Sequence, residues 1–461
     1  MLKFARKYTL MEKTLLGEAF ASLSSAELRE FGKFVRSPFF NTRASLIAWY
    51  EYLSTPGGQK PPETDGVKSR LAYSALLALL EKYFIYNDKS EVSAANKIGL
   101  AGVYRKRNLP RHFQITLREA RQERTRHSWR HAGYYQDLLD LEWEQYQFDT
   151  AQKRTDSLNL QATSDYMDLA YLTQKLRLAC LAVSHQAVYK TQYDIGLLDA
   201  VLARAEMLVS EPAIGLYFHC YRFLTLPSEP AEQHFLQFRE ILAQHTTSFP
   251  KDELRTLFLL AINFGIKKLN ESSPGWLKAT LDLYRSAIQL DLLLENGQIS
   301  RFAFTNIVAI AVRAGEADWA ESFIHEYRSF LERTWRDATA SLNLARVAYA
   351  RKDYTTALEH LQRSDYKDSI NNMVAKIYQL KIYYETDEFD LLSSHLANLK
   401  NYIRRNTGIG YHRTNYTHIV QYTEQLMALR FNDAKAVEAL REKIRAEKIL
   451  TEKEWFLDML G

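Results

Sequence analysis

Apolar residues along this chain recur at helical spacing and are separated by short polar segments. In the first clear unit, Ser24 and Glu27 have capping-box spacing, and the apolar residues that follow fall on one helical face. Pro38 ends this helix because proline cannot continue the helical hydrogen bonds. The pattern predicts a helical hairpin region over residues 1–53, in which Asn41 is the N-cap of the second helix.

Residues 54–66 hold three Pro and three Gly in thirteen positions, which predicts a linker. A basic helical region follows over 67–135, and the remaining segment, 136–461, reads as helix after helix without convincing strand alternation. Polar breaks in that segment predict helical hairpins that begin near residues 165, 212, 250, 297, 335, 368 and 411. The chain is therefore expected to be all-α with a helical N-terminal region.

An acidic residue followed by an aromatic residue recurs in the C-terminal part of the chain. The aromatic residues lie 35 positions apart, in the pairs Asp318 and Trp319, Asp353 and Tyr354, and Glu388 and Phe389. A fixed period of this size is typical of stacked helical hairpins.

The most regular segment, residues 343–364, resembles a tetratricopeptide repeat, and the resemblance extends over about 300–445. The residues that carry the packing of these repeats are Trp319, Leu344, Ala345, Tyr349, Tyr354, Ala357, Leu361 and Phe389. The resemblance implies a right-handed α-solenoid over 136–461. It also implies a scaffold that binds a peptide or protein partner on an extended surface.

Composition narrows the class of protein. With only 17 Gly and 10 Pro in 461 residues, the chain has few of the tight turns that an all-β fold needs. Cys180 and Cys220, the only cysteines, lie in apolar segments, which predicts buried, inert thiols in a reducing compartment. No signal peptide or uncharged membrane-spanning run is evident. We therefore expect a cytoplasmic protein, with Met11 as an alternative start to Met1.

Positive charge is concentrated in the first third of the chain. Residues 1–135 contain 23 Lys and Arg against 12 Asp and Glu, and the rest contains 37 against 43. The densest run, 103–131, suits phosphate groups or an acidic protein surface. Its candidate contacts are Arg105, Lys106, Arg107, Arg111, Arg118, Arg121, Arg126 and Arg130.

The alternative interpretation of this run is a solvated or internally paired helix. Arg124 occupies the next position of the apolar stripe. Either it pairs with a carboxylate inside the protein, or the buried part of the helix ends at this residue. The neighbouring aromatic residues either stack on bases or pack against the next helix; they are Trp129, Tyr134 and Tyr135.

Candidate chemistry is sparse. His127 and His131 have the spacing of two zinc ligands on one helical face, but no third ligand is evident and the surrounding arginines oppose a cation. Glycine-rich phosphate loops, nucleophile elbows and kinase motifs are missing from the sequence. We predict no metal or other cofactor, and a non-enzymatic scaffold. A nucleic-acid-associated regulator that uses 103–131 and an enzyme of unrecognised type are the alternatives.

Overall fold

The computed structural model of the chain describes residues 14–55, 62, 66–88, 93–126, 129–152, 157–189, 191–270, 275–362, 369–405, 412–429 and 433–461. The predicted all-α class is confirmed, because these residues form helices joined by turns, with one very short β-hairpin. Most of the predicted linker, 54–66, lies outside the described residues. Two compact units divide the chain, Met1–Gln174 and Lys175–Gly461.

The first unit contains α1 (Leu15–Ala21), α2 (Ser25–Arg36), α3 (Ala44–Ser54), α4 (Gly66–Asp88), α5 (Ala94–Lys106), α6 (Pro110–Arg126), α7 (Ala132–Gln152) and the first part of α8 (Leu160–Tyr189). Helices α1 to α4 bury an aromatic-rich core around Phe31, Trp49 and Tyr83. Helices α5 to α7 bury another, in which the Phe113 and Phe148 rings stack with centroids 4.2 Å apart.

The start of α2 matches the sequence prediction. The Ser24 hydroxyl accepts from the Glu27 N–H, and the Glu27 carboxylate accepts from the Ser24 N–H, at 3.3 and 2.8 Å. This reciprocal pair satisfies two N–H groups that have no partner within the helix. The helix ends at Arg36, before the extended residue Ser37 that precedes Pro38.

The prediction that Asn41 caps the next helix is wrong. Helix α3 begins at Ala44 and has no side-chain cap. The buried Asn41 amide instead donates to the carbonyl oxygens of Val35 and Arg43, at 2.8 and 3.2 Å. It therefore holds the connecting turn together, a role that depends on how the chain folds back.

The second unit contains the rest of α8 and the helices α9 (Leu198–Glu206), α10 (Pro212–Thr225), α11 (Ser228–Gln244), α12 (Lys251–Asn270), α13 (Trp276–Gln289), α14 (Arg301–Arg313), α15 (Ala317–Tyr327), α16 (Arg336–Ala350), α17 (Tyr354–Gln362), α18 (Ser369–Glu385), α19 (Phe389–Arg405), α20 (Arg413–Ala428), α21 (Ala434–Ala446) and α22 (Lys453–Met459). A single 3₁₀ turn, Arg328–Phe330, follows α15. Most helices adjacent in sequence pack together, and α14 also contacts α16, which contacts α18.

Most of the predicted hairpin starts are correct, since α10, α12, α16 and α18 begin within a residue of the expected positions. The start predicted near residue 165 is five residues too late, because α8 begins at Leu160 and then runs unbroken to Tyr189. That segment contains neither Gly nor Pro, so nothing interrupts its helical hydrogen bonds.

One β-hairpin escaped the sequence prediction. The strand β1 (Leu294–Glu295) pairs in antiparallel fashion with β2 (Gln298–Ile299). Asn296 and Gly297 connect them, with φ of 51° and 74°. Two positive φ values between paired strands are typical of an Asn-Gly hairpin turn. The Asn-Gly dipeptide was therefore the sequence feature that could have predicted this hairpin.

Helices α14, α16 and α18 end in the same backbone geometry. The second residue after each helix has positive φ, and the N–H after it donates to the carbonyl five residues earlier, as in a Schellman motif. The positive-φ residues are Gly315, Lys352 and Asp387. Their spacing is 37 and then 35 residues. The constant 35-residue period is therefore wrong at its first step, because Asp318 and Trp319 lie two residues further into their helix than Asp353 and Tyr354.

Candidate functional site

Three arginines of the basic segment form ion pairs with carboxylates on α7. The pairs are Arg105 with Glu144 at 2.8 Å, Arg121 with Glu142 at 2.6 Å, and Arg124 with Asp137 at 2.8 Å. An internal carboxylate for Arg124 is one of the two predicted possibilities. Burial raises the pKa of Asp137, and the Arg124 guanidinium opposes that rise.

The other candidates of this segment have different surroundings. Lys106, Arg107, Arg111 and Arg118 are exposed and form no ion pair with any described carboxylate. The Arg126 side chain is 75% exposed and lies 3.8 Å from Glu123. Arg130 stacks over the Tyr134 ring at 4.6 Å, and Tyr135 is buried. His127 lies outside the described residues.

The residues expected to pack the repeats differ in burial. Ala345, Ala357 and Leu361 are buried in one cluster, with Tyr349 and Tyr354 packed against it. Leu344 is half-buried, and Trp319 is half-buried with the Arg285 guanidinium 4.6 Å from its ring centroid. Phe389 is 43% exposed. It is the first residue of α19, and its ring contacts the ring of Tyr384 near the end of α18.

Glu385, the last residue of α18, accepts three side-chain hydrogen bonds. Its donors come from three helices: the Tyr349 hydroxyl from α16, the Tyr354 hydroxyl from α17 at 2.5 Å, and Trp455 Nε1 from α22 at 2.7 Å. Burial and the bond to Glu385 raise the pKa of Tyr354 to about 12, so this hydroxyl remains a donor. The carboxylate thus joins the C-terminal helix to residues about 70 to 100 positions earlier.

Lys381 lies one turn before Glu385 and is almost enclosed, with its side chain 10% exposed. Its Nζ is 2.9 Å from Glu452. The rings of Tyr349, Tyr378 and Trp455 surround it, with centroids 4.7, 5.4 and 5.7 Å away. Burial lowers the pKa of Lys381, but Glu452 and the Tyr378 hydroxyl raise it by more, so the ammonium form is favoured.

Arg346, on α16, connects the first helices of three successive hairpins, α14, α16 and α18. Its guanidinium donates to the Thr305 carbonyl on α14 at 3.2 Å, to Asn343 Oδ1 on α16 at 3.1 Å, and to the Tyr378 hydroxyl on α18 at 3.1 Å. We call the surface of α14, α16 and α18 around Arg346 and Lys381 the first-helix face. Sequence reasoning did not find Lys381 or Glu385.

Helix α22 packs against the helices that precede it. Trp455 and Phe456 are buried in a cluster that also contains residues of α18 to α21. The aromatic residues of α22 thus cover apolar surface, and its polar groups reach Lys381 and Glu385 on α18. No sequence signal pairs Glu452 or Trp455 with α18, because the contacts join positions 70 and 71 residues apart.

A histidine pair lies between α10 and α11. The Nδ1 atoms of His219 and His234 are 2.8 Å apart, so one ring donates and the other accepts. Burial lowers the pKa of His219 to about 4, and His234 adds to that effect. Burial also lowers the pKa of His234, as does Arg222, whereas Glu206 opposes the shift.

This pair predicts a loss of stability in mild acid. The folded-state pKa of His219, about 4, lies below its ordinary value of 6.5, so the unfolded chain binds more protons between these pH values. The stabilisation is complete above pH 6.5 and is lost as pH falls toward 4, by about 2 to 3 kcal/mol. Urea unfolding of the wild type and His219→Gln across this range measures it. Parallel pH profiles for the two proteins would contradict the assignment.

The two cysteines match their predicted setting. Cys180 and Cys220 are fully buried, and the Cys180 thiol donates to the Tyr217 carbonyl at 3.3 Å. Burial raises the pKa of the Cys220 thiol well above its ordinary value, and a hydrogen bond with Cys180 adds to the rise. Both effects disfavour the reactive thiolate.

Among the described residues, no three His, Cys, Asp or Glu side chains are grouped so that they could hold a metal ion. None of the described helices combines the length and the apolar character needed to cross a lipid bilayer. Comparison with known protein families, curated proteins and solved structures finds no match to this chain.

Proposed function

We propose that the protein is a non-enzymatic scaffold that binds a peptide or protein segment on the first-helix face. In this proposal the helices over about residues 300–445 stack as a right-handed α-solenoid of tetratricopeptide-like hairpins. The observation that supports it best is the Arg346 guanidinium, which bonds to groups on α14, α16 and α18 at once. Helices joined in this way present one continuous surface to a partner.

The side chains of this face suit protein recognition. Phe302 is 66% exposed and stands one helical turn before Thr305, which Arg346 contacts. The Arg301 guanidinium lies over the Trp335 ring at 4.1 Å and over the Phe302 ring at 4.8 Å. Tryptophan, tyrosine and arginine dominate the binding energy of protein interfaces, because they bury large areas and keep polar handles.

A matched pair of substitutions tests the proposal. Affinity capture with the full chain as bait is compared for the wild type, Phe302→Asp and Leu236→Asp. Leu236 is 62% exposed on α11, so it controls for a new surface carboxylate away from the first-helix face. We expect Phe302→Asp to weaken retention of the bound partner by at least about tenfold, and Leu236→Asp to leave it unchanged.

Two results would count against the proposal. If the captured proteins are the same for the wild type, Phe302→Asp and a second face variant, Tyr378→Ala, the first-helix face does not bind them. If Leu236→Asp abolishes capture as well, the partner uses another surface. Circular dichroism of each variant establishes that it is folded.

A further inference from the structure

Seven of the nine cations of the basic segment, all in the first unit, fall into two sets. One set forms ion pairs with carboxylates on α7; it consists of Arg105, Arg121 and Arg124. The other set is exposed and unpaired by any described carboxylate; it consists of Lys106, Arg107, Arg111 and Arg118. The unpaired set therefore keeps its full positive charge for a ligand outside the protein. We call it the basic corner.

The backbone concentrates these cations at one end of the α5–α6 hairpin. Lys106 ends α5 and Arg107 is its C-cap. Asn108, with φ of 54°, reverses the chain, and α6 begins at Pro110. Lys106, Arg107 and Arg111 are thus held within one tight turn.

Helix α6 adds to the positive potential at this corner. Its first turn has no acidic residue, so no carboxylate of that turn offsets the partial positive charge of the helix N-terminus. Arg118 lies seven residues after Arg111, which is two helical turns along the same side, or about 11 Å. The cations consequently extend from the turn along one side of the helix, as a row of charges rather than a point.

Aromatic groups stand beside the row. The rings of Tyr104 and His112 have centroids 5.3 Å apart, and His112 is exposed at the start of α6. Proteins that bind single strands combine a row of cations for the phosphates with rings on which bases stack. The ring pair beside spaced cations therefore favours a single strand, whose bases can stack on it while its phosphates reach the cations.

We propose that the basic corner binds single-stranded nucleic acid, with phosphates on Lys106, Arg107, Arg111 and Arg118 and a base against the Tyr104–His112 pair. This site is independent of the first-helix face. Four phosphate contacts on a single strand predict a salt slope of about −3, so affinity falls about 50-fold between about 50 and 200 mM salt.

Fluorescence polarisation with labelled single-stranded RNA and DNA of mixed sequence tests this site on the full chain. The test variant carries Lys106→Gln, Arg107→Gln, Arg111→Gln and Arg118→Gln. Its control carries the same charge change at exposed sites of the same unit, through Arg29→Gln, Arg43→Gln, Arg70→Gln and Lys82→Gln. At about 50 mM salt we expect the test variant to bind much more weakly than the wild type, with a salt slope near zero instead of about −3, and the control to keep the wild-type slope and stay within about twofold of its affinity.

The proposal is overturned if the wild type retains neither strand at low salt, or if the two variants lose affinity equally. It is also overturned if duplex DNA, polyglutamate or vesicles that contain phosphatidylserine bind more tightly than the single strands. His112→Ala separates stacking from charge: it should weaken binding several-fold without changing the salt slope, and an unchanged affinity would remove the base contact from the proposal.

Discussion

Glu385→Ala is expected to lower the free energy of unfolding by about 3 kcal/mol. The substitution removes the carboxylate shared by the Tyr349 hydroxyl, the Tyr354 hydroxyl and the Trp455 indole N–H. A buried donor without an acceptor costs about 1 to 3 kcal/mol, and these groups are only partly reachable by water. Urea unfolding followed by circular dichroism measures the change, as a lower transition midpoint.

Glu454→Ala provides the matched control for this prediction. Glu454 lies beside Trp455 on α22, but its side chain is 72% exposed and stands 3.6 Å from Arg313. Exposed pairs of this kind contribute well under about 1 kcal/mol. Equal destabilisation by the two substitutions would show that the three hydrogen bonds to Glu385 do not hold α22 in place.

Gly215→Ala is expected to destabilise the protein by about 2 to 3 kcal/mol, although alanine favours helices more than glycine does. Gly215 lies inside α10, and an added Cβ would stand 2.4 Å from the backbone oxygen of Val209. A backbone atom cannot rotate away as a side chain can, so the chain before α10 must shift. Urea unfolding measures the loss.

Gly99→Ala has the opposite expected sign and serves as the comparison. Gly99 lies inside α5, and apart from its two neighbours and the nearby backbone of its own helix no atom lies within 4 Å of an added Cβ. Alanine there should stabilise the helix by about 0.5 to 1 kcal/mol, since it reduces the backbone freedom of the unfolded chain. If both substitutions stabilise, the contact between α10 and Val209 is looser than described.

Local features of the fold were predictable from the sequence because they depend on neighbouring residues. The capping box of Ser24 and Glu27 spans four positions, and the starts of α10 and α16 follow short polar breaks. Asn41 was misassigned because a turn and a helix N-terminus favour the same residue type. The Asn296–Gly297 hairpin was overlooked because its strands have only two residues each.

The candidate sites were less predictable, since their contacts join distant positions. Glu385 and Trp455 are 70 residues apart, and nothing in either segment indicates the other. In the basic segment, the sequence showed that Arg124 interrupts an apolar stripe. It did not show which arginines face α7, because that depends on how α7 packs against α5 and α6.

The burial of Cys180 and Cys220 makes the wild-type chain suitable for site-specific labelling. Neither native thiol should react with a maleimide dye while the protein is folded. A cysteine introduced at an exposed position such as Gln244 would then be the only labelled site. Pairs of such positions would allow distances between the two compact units to be measured by fluorescence energy transfer, without removing either natural cysteine.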